Sequence, residues 1–515
     1  MAQWGEGYVT DVAYTNGFYR ELTPSWLWMF ALLGGQRPPD LTRPFRWAEL
    51  GCGNGLTTNS VAATNPHADV WGFDFNPAHI EEANRLASNA GLTNAYFREA
   101  SFSDLAHDDS LPLFDFIVVH GVFSWIAPAI RDDLLALIGR RLAPGGIAYV
   151  SYNTPTGWEA MAPLQYLMRL LARGAQGRSD QLMPAVLDTI DRLVEANAAF
   201  FLRNPTMANR LKNLRSANPR YVAHEYLNEH WHPLMFDDVA TYLDTVKCQF
   251  IGSATLTDNF DYTSVPGSVL PVLGEARDQR VKETLRDFGN GQSFRRDVFR
   301  RGLAPLTSAE QLRVLDGIRV VAVAPRPAGD FRFGTSMGEM LANKDVYEPL
   351  LDRLYRTGSL SFAEARGIPT DTPRSPGALL ESLALLMAAS VVHLAVPEAL
   401  ATQARPSAMA FNAAISRLNL AGGDLGVLVS PEIGSALGAT LLETFVRNEL
   451  ATPDGADEAT LMRQMAAGLR ASDRRLLNDG QIVTDAAEEE TMLRETAKNL
   501  TGEQWTTRRA LSIYD

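Results

Sequence analysis

Between residues 45 and 153, short apolar runs alternate with amphipathic stretches, the pattern of strands joined by helices. A first strand at Trp47–Leu50 runs into a turn with glycines at 51, 53 and 55, and a helix-compatible segment follows. A second strand spans 69–76. The helix from about Pro77 carries Ile80, Ala83, Ala87 and Ala90 on one face and closes at Gly91. A third strand near 95–98 ends in Glu99-Ala100-Ser101-Phe102, and a fourth, Phe114–Val119, delivers His120-Gly121-Val122-Phe123-Ser124-Trp125. A helix with Leu134, Leu135 and Ile138 leads to Pro144-Gly145, which suits a type II turn. The fifth strand is Ile147–Tyr152, with Asn153 just past it. Such alternation predicts a parallel, doubly wound α/β sheet, in which ligands bind beyond the carboxyl ends of the strands. Glu49 to Gly55, Asp74, Ser101, His120 and Asn153 all fall at that edge.

Downstream, the period changes to that of helices. Leu164, Leu167, Met168 and Leu171, then Leu187, Ile190, Leu193 and Val194, mark residues 160–217 as a helical insertion capping the active-site edge. Segment 218–302 completes the sheet: a helix with Phe236, Val239, Leu243 and Val246, a strand from Cys248 to Leu256, and a last antiparallel strand, 293–301. In 303–400, a helix with Tyr347, Leu350 and Leu354 stops at Gly358, and a helix at 378–390 runs into a strand at 391–396. That order reads as a winged-helix-like unit or a packing or homodimer module. Residues 401–515 read as mainly helical, and 1–44 as an aromatic-rich cap whose helix starts at Pro24 and ends at Gly34-Gly35.

The glycine loop carries the chemistry. Its spacing is G-x-G-x-G, and Leu56 occupies the place where a dinucleotide fingerprint has its third glycine. The loop therefore suits a ligand without a pyrophosphate, and Glu49 before it can meet an ammonium, which points to S-adenosylmethionine. Gly51, Cys52, Gly53 and Gly55 form the cradle; Asp74, with Phe75 and Asn76, stands where a carboxylate reaches a ribose diol. Ser101 and Phe102 border the adenine position, and His120, Gly121 and Trp125 close the rim. Tyr14 and Tyr19 stand out among the N-terminal rings Trp4, Tyr8, Tyr14, Phe18, Tyr19, Trp26, Trp28 and Phe30, because aromatic faces attract a sulfonium. Segment 221–232, read as a loop over the edge, offers Tyr221, His224, Glu225 and Tyr226 beside Asn153 as candidate catalytic groups. Methyl transfer to nitrogen needs an aligned neutral nucleophile and an outlet for its proton. His224, His230 and His232 fit no standard metal cage, and no metal is assigned.

Composition narrows the partners. The 515-residue chain has a net charge of −13, against a phosphate-bound nucleic acid. Cys52 and Cys248 alone make no disulfide framework. The N-terminus lacks a signal peptide's pattern, and the apolar run Ser382–Val396 is too short to span a bilayer, so a cytoplasmic protein without membrane insertion is expected.

Residues 45–153 resemble the core of a class I S-adenosylmethionine-dependent methyltransferase: Glu-Leu-Gly-Cys-Gly-Asn-Gly is its first motif, Gly-Phe-Asp-Phe-Asn its second, and Leu-Ala-Pro-Gly-Gly precedes its fifth strand. The whole chain resembles bacterial methyltransferases carrying a methyltransferase regulatory domain, through Asp11–Thr15, Gly17-Phe18-Tyr19, His120–Trp125, Ser151-Tyr152-Asn153 and His224–Asn228. The resemblance implies a Rossmann-like, seven-stranded core. Rickettsial members are similar protein-lysine methyltransferases acting on outer-membrane proteins, so it also implies a protein substrate with accessible lysines. The alternatives are a small-molecule N- or O-methyltransferase and a non-catalytic scaffold keeping the cofactor fold.

Overall fold

The computed structural model describes residues 5, 7–12, 14–369, 374–452, 456–478 and 481–514; Trp4 and Ala13 lie outside them. Its centre is a seven-stranded sheet built from β1 (Arg46–Leu50), β2 (Asp69–Asp74), β3 (Ala95–Glu99), β4 (Phe114–Val119), β5 (Leu142–Asn153), β6 (Cys248–Ser253) and β7 (Phe294–Arg301). The strand order is β3-β2-β1-β4-β5-β7-β6, and β7 runs antiparallel to both its neighbours. Leu50 pairs with Phe73 and Val119, Asp74 with Glu99, and Val119 with Val150. This register brings Gly51, Asp74, Ala100, His120 and Asn153 to one edge.

Local chemistry sets the helix starts around that edge. The Asn76 side chain accepts from Ala78 N–H, and Pro77 opens α3 (Pro77–Ala90) at a position that needs no N–H. Ser101 and Asp104 form a reciprocal capping box on α4 (Phe102–His107). The glycine turn leads into α2 (Leu56–Thr64). The helix α1 (Pro24–Leu33) is apolar all round and buried, with Trp26 Nε1 donating to Ala254 O at 3.2 Å. One face of the sheet shares a core with α1 and with residues 303–400: Trp26, Phe30, Trp47 and Val70 join Val320, Leu350, Leu379 and Leu394. The other face buries Phe73, Phe114, Leu134 and Ile138 with Phe236 and Leu243 of the helix Phe236–Thr245. The long helix Glu398–Leu420 lies against α2 and α3, where Ser407 Oγ donates to Ala63 O at 2.7 Å. The insertion forms its own cluster around Met168, Met183, Ile190 and Val222, which also takes in Val9.

Several boundaries differ from the reading of the sequence. The fifth strand begins earlier, at Leu142, which already pairs with Phe114, and includes Asn153; a bulge with Gly145 at φ +83° separates Leu142 from Ile147, which pairs with Phe116. The sixth strand stops at Ser253, where a 3₁₀ turn at Leu256–Asn259 begins. Of the segment 221–232, expected as loop, residues 221–226 belong to a helix, Pro219–Tyr226, with Asn218 as its N-cap and Pro219 in its first turn. In 303–400 a three-stranded antiparallel sheet takes its central strand from Arg319–Ala322, ahead of the paired helices. The second of those helices, Pro376–Ala388, is buried along most of its length. Among the described residues no helix is long and apolar enough to cross a membrane.

Candidate active site

At the carboxyl edge lies a cavity of about 450 Å³. Fourteen of the rim residues expected from the sequence line it: Tyr14, Tyr19, Glu49, Gly51, Cys52, Gly53, Gly55, Asp74, Phe75, Ser101, Phe102, His120, Gly121 and Trp125. Asn153, Tyr221 and Glu225 line it too. Asn76, His224 and Tyr226 do not. Asn76 is occupied in capping α3, and Tyr226 packs in the insertion core against Trp158. His224 Nε2 donates to Val12 O at 3.0 Å and holds down the N-terminal segment.

That segment is a strap across the cavity. Asn228 Oδ1 accepts from Val9 N–H at 2.9 Å, and Glu229 N–H donates to Gly7 O at 2.8 Å. On the other side Asn54 Nδ2 donates to Tyr14 O at 3.1 Å, and Tyr19 N–H to Thr57 Oγ1 at 3.2 Å. Residues 7–12 and 14–19 are thereby stitched to both the glycine loop and the helix Pro219–Tyr226, and they bring Tyr8, Tyr14 and Tyr19 into the cavity.

The glycine turn is a backbone cradle. Gly53 has φ +52°, and a β-carbon built there would meet nothing within 4 Å, because the position faces the open cavity. Gly55, at φ +68°, has no such room: a β-carbon would lie 2.6 Å from Ala83 Cβ and 2.8 Å from Phe97. Gly55→Ala is therefore expected to lower stability by about 2–4 kcal/mol, from left-handed backbone strain plus overpacking. An unchanged melting temperature would contradict that close approach.

Asp74 is fixed before any ligand arrives. Its Oδ2 accepts from Gly53 N–H at 2.9 Å, and its Oδ1 from Asn76 N–H at 2.9 Å and His79 Nδ1 at 3.2 Å. Glu49 is buried and accepts from Thr58 Oγ1 at 2.5 Å. Burial pushes its carboxyl up to about 8, against the pull of the Thr58 hydroxyl. His120 lies 4.0 Å, centroid to centroid, from the Tyr19 ring, and its Nδ1 meets the Tyr149 hydroxyl at 2.9 Å. Burial, with Arg296 nearby, lowers its pKa to about 3, so its imidazole is neutral at physiological pH.

The cavity also holds four phenols around the Glu225 carboxyl group, which acts on all of them. Tyr8, Tyr14, Tyr19 and Tyr221 line it with Glu225. Among the described residues Glu225 has no hydrogen-bond or ion-pair partner, and burial pushes it up to about 7. Tyr221 is pushed up to about 12 by burial and by the Glu225 charge. The Asn153 side-chain amide is buried, and its Nδ2 has no partner among the described residues. The sequence reading missed Trp158, Phe294 and Arg296, which also line the cavity. Phe294 pairs with Asn153 across the β5–β7 ladder, and Arg296 pairs with Ser151, a register no local pattern shows.

The comparisons agree with this architecture. A family model described as a methyltransferase domain matches residues 48–146, and one described as a predicted methyltransferase regulatory domain matches residues 218–301. A protein of Synechocystis sp. is 34% identical over 501 residues, covering 97% of this chain and 98% of the relative. The structure of PKMT2 from Rickettsia typhi in complex with AdoHcy has the same fold, with a TM-score of 0.68 at 18% identity over 96% of this chain and 99% of that one. A trans-aconitate 2-methyltransferase of Methylobacterium nodulans is 33% identical over 132 residues, 26% of this chain and 46% of the relative. Fold and rim together define a class I methyltransferase whose cofactor is S-adenosylmethionine. The chain belongs to the family of methyltransferases that carry a methyltransferase regulatory domain.

Proposed function

We propose that this methyltransferase acts on an amine nitrogen, the side chain of lysine in a protein substrate. The observation that carries the proposal is the unpaired Glu225 carboxyl set among Tyr8, Tyr14, Tyr19 and Tyr221. Aromatic faces with a carboxylate form a cage for an alkylammonium ion. A protein acceptor accords with the large body outside the sheet, including an insertion whose Tyr166, Leu170 and Leu202 are exposed. It accords also with the resemblance to rickettsial protein-lysine methyltransferases.

S-Adenosylmethionine supplies the electrophilic methyl group. Gly51, Gly53 and Gly55 would seat it against the backbone, Asp74 would take its ribose hydroxyls, and Glu49 its ammonium. Phe102 offers a flat apolar surface for the adenine. On the acceptor side, Glu225 takes the proton that the lysine ammonium must lose before its nitrogen can attack. The phenol oxygens of Tyr14 and Tyr221 orient the resulting amine, and the Asn153 amide supplies a further polar contact. The strap excludes water, which strengthens these interactions.

Two experiments test these roles. Incubation with methyl-labelled cofactor and a set of lysine-bearing proteins is expected to label lysine side chains, located by peptide mass spectrometry. Transfer only to small metabolites would overturn the protein-lysine reading. The second concerns Glu49. In the free protein its carboxyl holds a proton up to about pH 8, and a bound ammonium favours the ionised form. Cofactor affinity is then expected to rise with pH toward 8, with a proton released on binding at pH 7. Calorimetry in buffers of different ionisation heat measures that release; a buffer-independent heat would remove Glu49 from the ammonium site. The same group makes the unliganded fold lose stability as pH rises from the ordinary carboxyl range through 8, because the folded state binds the proton more tightly than the unfolded chain.

A further inference from the structure

Behind the cofactor cavity lies a second one of about 300 Å³, at the lower end of the size of small-molecule sites. Its walls come from five parts of the chain: Arg20 and Glu21 ahead of α1, Thr255 and Asp258 after β6, Phe294 and Arg296 on β7, Thr335-Ser336 at the turn of the hairpin 332–341, and Ala388 at the end of the helix Pro376–Ala388. It therefore sits where the sheet, the N-terminal helix and the middle segment meet. Phe294 and Arg296 line both cavities, so β7 is the partition between them.

Charged groups of both signs face this space with incomplete partners. Arg296 Nη1 donates to Thr255 Oγ1 at 3.2 Å, which turns the guanidinium toward the second cavity. Its Nε is buried without an acceptor, and among the described residues it makes no ion pair. Arg20 is held by Ser390 Oγ at 2.5 Å and Ala388 O at 3.1 Å, with Glu21 only at 3.7 Å. Burial lowers its pKa; Glu21 opposes that shift and the charge of Arg296 adds to it, which places the two guanidinium groups in one neighbourhood. On the acidic side, Asp258 is 7% exposed; among the described residues its Oδ1 has no donor, and its Oδ2 has only Gln292 Nε2 at 3.5 Å. The arginines behind it, Arg286 and Arg295, are already bound to Glu283, Asp287, Asp297 and Asp261. Buried charges left without partners are unfavourable, and a ligand carrying both complementary charges removes that penalty.

We propose that this second cavity binds a small zwitterionic amino acid, its carboxylate on Arg296 and Arg20 and its ammonium on Asp258. The hydroxyls of Thr255 and Ser336 suit the same polar ligand, while Glu21 and Asp258 disfavour a dianion. This site does not depend on the identity of the methyl acceptor. Titration calorimetry on the full chain with glycine, alanine, serine and glutamate, against succinate and inorganic phosphate, tests it. At least one amino acid is expected to bind one per chain, with succinate and phosphate roughly tenfold weaker or more. Asp258→Asn and Thr255→Val are each expected to weaken that binding by about fivefold or more while leaving cofactor affinity within about twofold. In the unmodified protein, ligand is expected to slow hydrogen exchange at 254–258 and 334–336, a readout that needs no variant to fold. Absence of binding by all four amino acids, phosphate binding as tightly as they do, or protection elsewhere in the chain would overturn the proposal.

Discussion

Replacing Glu225 with glutamine is expected to lower kcat by about 10²–10⁴-fold, the range a positioned general base contributes. The substitution keeps the size and shape of the side chain and removes only its ability to take a proton. Cofactor affinity should change less than turnover, because Glu225 comes from the helix Pro219–Tyr226 and not from the glycine turn, β1 or β2. The pH profile is the sharper readout. With its carboxyl pushed up to about 7 by burial, turnover of the unmodified enzyme should rise as pH passes through 7, and that limb should vanish in Glu225→Gln. Tyr221→Phe is a useful companion, since it removes one phenol oxygen and leaves the aromatic face. Full activity in both variants would return this wall of the cavity to a structural role.

Asp74→Ala is expected to weaken cofactor binding by about 1.5–3 kcal/mol, roughly ten- to hundredfold, the loss of hydrogen bonds to a charged acceptor. The effect has two sources. The ribose loses its carboxylate, and the cradle loses the acceptor for Gly53 N–H and Asn76 N–H. Asp74→Asn separates them: its amide oxygen can still accept from one of these backbone groups while the charge is gone. An affinity intermediate between the parent and the alanine variant is therefore expected. Calorimetric affinities equal in all three proteins would remove Asp74 from the cofactor site.

Cavity-lining and architectural positions divide within one short helix. Tyr221 and Glu225 are four residues apart, one helical turn, so both reach the cavity from Pro219–Tyr226. His224 and Tyr226 flank Glu225 and point elsewhere, one to the Val12 carbonyl and one into the insertion core. Read as a loop, the segment gave no reason to separate them. The separating signal was present in Asn218-Pro219, a capping residue followed by proline at the first helical position. Asn76 shows the same lesson in reverse: next to Phe75 it reads as a ligand, but an Asn before Pro77 is also an N-cap.

The cofactor edge was legible because it is local. Strand, glycine turn and helix follow one another in the chain, and parallel crossovers leave each strand's carboxyl end on the same side. Glu49, Gly53, Asp74, Ser101 and His120 could therefore be placed together by counting along the sequence alone. Arg296 could not. It stands beside Arg295 in a basic run, and the pleat sends these neighbours to opposite faces, Arg295 into a buried carboxylate network and Arg296 to the two cavities. Which face is which depends on β7 lying antiparallel between β5 and β6, a pairing of strands more than 140 residues apart for Asn153 and Phe294. The strap is decided in the same way, since Val9 meets Asn228 across 219 residues. Hydrophobic period and turn chemistry act over a few residues, so they determined the sheet and its glycine-turn rim; the phenol-lined wall and the second cavity arise from contacts between distant segments, and only the folded chain defines them.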